Sequence, residues 1–223
     1  MREKNPVERW SFHLSGGRLC VDLANTVSWR GSGRGIERLS ECGDLVEWAR
    51  QAGVLTAAEA RRAEREARSR PAAAARMLTR TRAFREAIYR IFRGIALGVA
   101  PRTADLARLD RELHDALRHL RLARKGPRVA LVWSGGVGLL ARPLWAAARS
   151  AADVLVSDNL RRLKTCGAAN CGWVFLDTSR SGTRRWCAME VCGSRAKARS
   201  YYARLSRRRP ASPRGPRRRS NSR

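Results

Sequence analysis

Four of the chain's six cysteines fall in two matched pairs, Cys166 with Cys171 and Cys187 with Cys192. Each pair has the spacing C-x4-C, and fifteen residues separate the pairs. The thiolate is the metal-binding form of cysteine, and zinc takes four such ligands at tetrahedral corners about 2.3 Å away. Two short loops, each offering two thiolates, meet that demand without a large core. Gly172 and Gly193 each follow the second cysteine of a pair, where a tight backbone turn is needed. Four thiolates also fill the coordination shell and leave no position for a water or substrate. The expected cofactor is therefore one structural Zn2+, held by Cys166, Cys171, Cys187 and Cys192. Cys20 and Cys42 stand apart from this pattern and are expected as small core residues.

The elements that must position these ligands are short. Trp173–Leu176 and Arg184–Trp186 are expected to pair as a hairpin across a DTSRSG turn, with Trp173, Phe175 and Trp186 as a small core. Ser194 is placed to cap a final helix. On it, Ala198, Tyr201, Tyr202 and Leu205 share one face, and packing is expected of the tyrosines rather than base stacking. Two knuckles, a hairpin and a helix make a small treble-clef-like zinc module with four cysteine ligands.

At this point the residues resemble a known family. The stretch CGAANCGWVFLDTSRSGTRRWCAMEVCGSRAKARSYYAR (166–204) resembles the CGNR-type zinc finger at the C-terminus of bacterial proteins with an ABATE domain. LSGGRLCVDLANTV (14–27) is similar to the start of that domain. The resemblance implies a stress-induced transcription regulator, with a ligand- or partner-binding domain in front of a DNA-binding zinc module. The name-giving Cys-Gly-Asn-Arg is Cys192-Gly193-Ser194-Arg195 here, so any DNA contact made by the family asparagine has serine in its place.

Charge agrees with a polyanion partner. The formal net charge is +28 over 223 residues. From Arg161 to Arg223 there are eighteen basic residues and two acids, Asp177 and Glu190, against 29 and 17 in the first 160 residues. Charge concentrated at one end marks a nucleic-acid-binding face. Arg184, Arg185, Arg195, Lys197, Arg199 and Arg204 are the candidate contacts, because the zinc scaffold ties them down. The tail RRRPASPRGPRRRSNSR has no core-forming residues and is expected to be disordered.

The fold class expected is α+β: a mixed helical and short-sheet N-terminal domain (5–158), the zinc module (159–207) and the basic tail (208–223). WSFHLSGGRLCVDLANTVSWR is expected as two short strands about Gly16-Gly17, with Leu19, Val21 and Leu23 on one face. Asp44 is placed to cap a helix ended by Gly53, and Thr56 with Glu59 makes a capping box for the next. Pro71 breaks that helix. Phe84, Ile88, Ile91 and Ile95 form a core stripe on the helix that follows, and Leu106, Leu109, Leu113, Leu117 and Leu120 another after Pro101. RVALVWSGGVGLL is expected as strands about a glycine turn, then a buried helix opening at Pro143. Asp22 and Asn25 are candidate ligand-site residues, though a solvated strand position for Asp22 and a helix cap for Asn25 are the simpler expectations.

Other function classes find little support. His13, His114 and His119 form no metal or triad pattern, and SGGVG (134–138) lacks the Lys-Ser/Thr of a phosphate loop, so no enzyme is expected. No run of about 18 uncharged apolar residues is present, and the first residues carry acids rather than an apolar secretory core. The expectation is a cytoplasmic protein acting on double-stranded DNA, with a small-molecule ligand and a homodimer left open. The alternatives are an RNA- or ribosome-associated zinc module and a protein-interaction module.

Overall fold

Pro71 sets the layout of the chain, because a proline is tolerated only in the first turn of a helix. It opens α4 (Pro71–Ala96), the helix against which most other elements pack. The computed structural model describes residues 11–134 and 138–208. Residues 209–223 of the expected basic tail and most of the SGGVG turn lie outside the described residues. In order, the other helices are α1 (Leu19–Ala24), α2 (Cys42–Gln51), α3 (Ala57–Ser69), α5 (Thr103–Arg118), α6 (Arg142–Leu155) and α7 (Ser194–Arg208). Among the described residues three antiparallel strand pairs accompany them: β1 (Val27–Ser28) with β2 (Ile36–Glu37), β3 (Leu120–Lys125) with β4 (Arg128–Trp133), and β5 (Leu163–Thr165) with β6 (Val174–Leu176). The α+β class is as expected. Two compact units are divided between Cys187 and Ala188.

In the first unit, Leu78, Phe84, Ile88, Ile91 and Phe92 of α4 join one core with Leu23, Leu45, Leu144, Leu163, Val174 and Leu176. The hairpin β5–β6 is thus packed in the same core as α1 and α4. Helix α3 starts as its sequence dictates: Thr56 Oγ1 accepts from the Glu59 amide (3.2 Å), and Glu59 accepts from the Thr56 amide (2.9 Å). In α2 the box is shifted, with Glu41 as cap and Asp44 accepting from the Ser40 and Glu41 amides.

Three expectations are corrected. Leu19–Ala24 is a helix and not a strand; Cys20, Val21, Leu23 and Ala24 are all buried, and so short an apolar run fits either period. The Leu stripe of α5 is rotated. Leu106 and Leu117 are exposed, while Asp105, Leu109, Glu112 and Ala116 are buried. Arginines of α4 reach across to those acids, Arg90 to Asp105 and Arg80 to Glu112, and paired charge replaces leucine at that interface. The glycine turn of the β3–β4 hairpin is Gly126-Pro127, with Leu122 opposite Leu131 and Lys125 opposite Arg128.

The burial pattern makes a contrast that unfolding can check. Ile88→Ala should lower unfolding free energy by about 2–5 kcal/mol in a urea titration, whereas Leu122→Ala, on the exposed hairpin, should change it by about 0.5 kcal/mol or less.

Candidate metal centre

Backbone hydrogen bonds shape the first cysteine loop before any metal is considered. Strands β5 and β6 end at Thr165 and begin at Val174, and the Cys166 amide donates to the Trp173 carbonyl (2.8 Å), extending the ladder. Cys166 and Cys171 therefore sit at the tip of this hairpin. The Cys171 amide closes the turn on the Ala168 carbonyl (3.0 Å), and Gly172 takes a φ of 69°, a conformation L side chains rarely adopt. The second loop brings Cys187 alongside: its amide points at Cys166 Sγ (3.5 Å), and the Gly167 amide donates to the Arg185 carbonyl (2.9 Å).

The sulfur atoms of Cys166, Cys171, Cys187 and Cys192 all lie within 4.8 Å of one another. A tetrahedral zinc with 2.3 Å bonds needs sulfurs separated by about 3.8 Å, and Cys171 and Cys187 are 3.7 Å apart. Among the three clustered thiols Cys166, Cys171 and Cys187, hydrogen bonds from Cys171 and Cys187 pull the Cys166 thiol down, and the Cys171 and Cys187 thiols are pushed up by their bonds to it. A divalent cation answers that arrangement by replacing shared protons with metal–sulfur bonds. The four cysteines fit one structural zinc ion. Its chemistry there is cohesion: four thiolates complete the shell.

The segment between the loops is held by a buried carboxylate instead of the expected strand pair. Asp177 is fully buried. Its Oδ1 accepts from the Ser179 amide (3.0 Å) and hydroxyl (2.6 Å), and its Oδ2 accepts from the Arg184 amide (2.9 Å) and Lys164 Nζ (2.7 Å). Burial opposes the charge, but Lys164 and these donors outweigh it and hold the carboxyl well below the usual carboxylate range. Arg184–Trp186 thus forms no strand with β6, whose partner is β5. Asx-type turns of this kind are legible in an Asp-Thr-Ser string.

Side chains of the N-terminal region clasp this hairpin. Asn25, fully enclosed, donates from Nδ2 to the Val174 carbonyl (2.8 Å) and accepts the Val174 amide on Oδ1 (3.2 Å), as a neighbouring strand would. Trp173 Nε1 donates to the Val27 carbonyl (2.8 Å), and the Leu176 amide to the Gly16 carbonyl (2.8 Å). Tyr89 of α4 donates its hydroxyl proton to the Gly172 carbonyl (2.8 Å), one residue beyond Cys171. Backbones also meet closely here: a Cβ on Gly172 would lie 2.7 Å from the Gly31 nitrogen. Tyr89 and Gly31 do not stand out as site residues in the sequence, and Asn25 stands out only as a ligand-site candidate, because their partners lie far along the chain.

The two candidate ligand-site residues, Asp22 and Asn25, are engaged by the chain itself. Asn25 is committed to Val174, and Asp22 accepts from the Gly16 amide (2.8 Å) while burial pushes its carboxyl up to about 6. The recess they line has a volume of about 20 Å³, room for about one water. Cys20 is a core residue as expected, with its thiol pushed up to about 12 by burial.

The candidate cations differ in their surroundings. Arg184 is half-buried: its guanidinium donates to the Trp186 carbonyl (2.8 Å), the Ser15 carbonyl (2.9 Å) and the Cys187 carbonyl, and stacks over Phe175 at 4.6 Å. Its donors hold the second loop and face inward. Arg185 is exposed beside the Trp186 ring. In the second unit, a π-helical turn (Met189–Gly193) carries Cys192 into α7, with the Cys192 and Gly193 amides on the Ala188 carbonyl. Ser194 is already helical and bonds the Met189 carbonyl, so it is not the cap expected of it. Arg195, Lys197, Arg199 and Arg204 are all exposed. So are Tyr201, Tyr202 and Leu205, and the apolar face expected to pack stands in solvent.

Comparison with known families supplies a second, independent line. A family model described as "ABATE: Putative stress-induced transcription regulator" matches residues 17–158, and a second, the CGNR zinc finger, matches residues 162–205. No curated protein matches the chain.

Metal analysis separates ligands from supports. The wild-type chain should carry about one zinc, and Cys187→Ser should lose most of it because three thiolates leave the shell open. Asn25→Ala should keep the zinc but cost about 1–3 kcal/mol in unfolding, since it strands the buried Val174 amide and carbonyl.

Proposed function

The chain belongs to the ABATE family, and from that membership we propose that it is a DNA-binding transcription regulator. In this reading the zinc-ordered C-terminal segment grips double-stranded DNA, and the N-terminal domain senses a ligand or partner and passes that state on. The observation that carries it is α7. This helix begins two residues after the last zinc ligand, contains no acidic residue, and exposes Lys197, Arg199 and Arg204 together with Tyr201, Tyr202 and Leu205. A helix polar on most sides and lacking its own packing is stabilised by a partner. For one with cations at this density, that partner is a polyanion.

Arg185 joins these cations as a contact from the second cysteine loop, and Arg195 completes the set; Arg184 serves by holding that loop in place. Arginine can contact phosphates and also read guanine edges in the major groove. The protein then works as a binding module without catalysis, in the compartment that holds the DNA, and a homodimer would match a two-fold symmetric site. No helix among the described residues is long and apolar enough to cross a membrane.

Fluorescence anisotropy at about 0.15 M salt tests this, using the DNA upstream of the protein's own gene, scrambled DNA and RNA of equal length. The native DNA should bind tighter by about a hundredfold or more. Replacing Arg185, Lys197 and Arg199 with alanine should reduce the slope of log affinity against log salt by about 0.9 for each phosphate no longer neutralised. Equal binding to all three nucleic acids would contradict a specific regulator, and preference for the RNA would favour an RNA-associated module.

A further inference from the structure

A recess of the first unit lies where the C-terminal end of α4 and the loop before α5 approach Gly31 and Gly172. Its volume is about 410 Å³, within the range of small-molecule sites. Two kinds of side chain line it. Four arginines face it, Arg30, Arg90, Arg93 and Arg102. The other wall is apolar, built from Leu97, Val99 and Pro101, with Leu97 and Val99 more than half exposed.

The charges are not balanced within this recess. Arg30 is paired bidentately with Glu86 (2.8 Å for each contact), and Arg90 with Asp105. The guanidinium groups of Arg93 and Arg102 make no hydrogen bond or ion pair among the described residues, and both are exposed. Arg30 adds a further oddity: its Nε is buried without a hydrogen-bond partner, while its guanidinium lies 4.0 Å above the Tyr89 ring. Uncommitted guanidinium groups select carboxylate or phosphate, whose oxygens match their donors in pairs. Exposed leucine and valine at the same concavity select an apolar body.

We propose that this recess binds a small organic acid, a carboxylate carried on an aromatic or branched apolar body. Arg93 and Arg102 take the carboxylate, and Leu97 and Val99 cover the body. The site deepens the sensor role proposed above and rests on it for its biological purpose, but not for its existence. It has a physical route to the metal centre. Tyr89 and Arg30 line the recess, and Tyr89 is bonded to Gly172, the residue after Cys171.

The test is a titration of the zinc-loaded full chain with 2-naphthoate at about 0.15 M salt, followed by ligand fluorescence and calorimetry. The neutral amide, 2-naphthamide, and inorganic phosphate are the comparison probes. The expected result is saturation at about one naphthoate per chain, with binding at least about tenfold tighter than either comparison probe. R93A/R102A should weaken it about tenfold, and Val99→Glu, which places a carboxylate in the recess, should do the same. R61A/R65A removes equal charge from the exposed face of α3 and should leave binding within about twofold.

Absence of saturation overturns the proposal. So does equal weakening by the two double-arginine variants, which would reduce the effect to bulk charge. Phosphate binding as tight as naphthoate would make it a simple anion site, and equal binding of the amide would make it an apolar one. Either result also overturns it. Because these readouts contain no nucleic acid, their failure is separate from a failure of the DNA reading, which anisotropy reports alone.

Discussion

The Asn25 side chain and the Val174 backbone hold the first unit in register. A carboxamide offers one donor and one acceptor in the spacing of a peptide group, so Asn25 satisfies β6 as a neighbouring strand would. The cost of losing it is high because both groups are buried and water cannot replace it. Around this pair the Trp173, Tyr89 and Leu176 bonds align in the same sense, each running between the hairpin that carries Cys166 and Cys171 and the N-terminal region. The two family matches meet between residues 158 and 162, yet the hairpin's Leu163, Val174 and Leu176 pack with α4 in one core. The first zinc loop therefore gains its order from the N-terminal fold as well as from the metal.

Charge is managed differently in the two units. Within the first, most buried charges are paired: Arg85 with Glu37, Arg142 with Glu59, Lys164 with Asp177. A buried pair of this kind adds little net stability but is costly to break, so it fixes which surfaces meet. In the second unit, α7 itself holds no acid to accompany its cations, and like charges on a helix repel. In the proposed reading a polyanion relieves that repulsion. The proposed sensor recess at Arg93 and Arg102 repeats the device on a smaller scale.

Much of the metal centre was legible because its signal is local. Two matched cysteine pairs, with glycine after the first loop, require only short-range geometry, as do the Thr56–Glu59 box and the start of α4 at Pro71. What escaped is decided by distant partners. The apolar run Leu19–Ala24 is a helix because it packs against α4 and α6, which periodicity over six residues cannot tell. The leucine stripe of α5 misleads because α4 supplies arginines where a hydrophobic partner is expected. Arg184–Trp186 reads as a second hairpin strand because the Asp-Thr-Ser string reveals a turn but not the longer reach of Asp177 to the Arg184 amide. The tyrosines of α7 have helical phase with Ala198 and Leu205, but phase alone does not provide an element to pack on.

The central physical claim is that the first zinc loop and the N-terminal helices open as one unit. Native-state hydrogen exchange with and without zinc removal by a chelator tests it most directly, through the amides of Cys166, Val174 and Leu176 beside those of Leu23, Ala24 and Asn25. Cooperative coupling predicts that both sets lose protection together when zinc is withdrawn. Loss confined to residues 163–187, with Leu23–Asn25 exchanging as slowly as before, would contradict the claim.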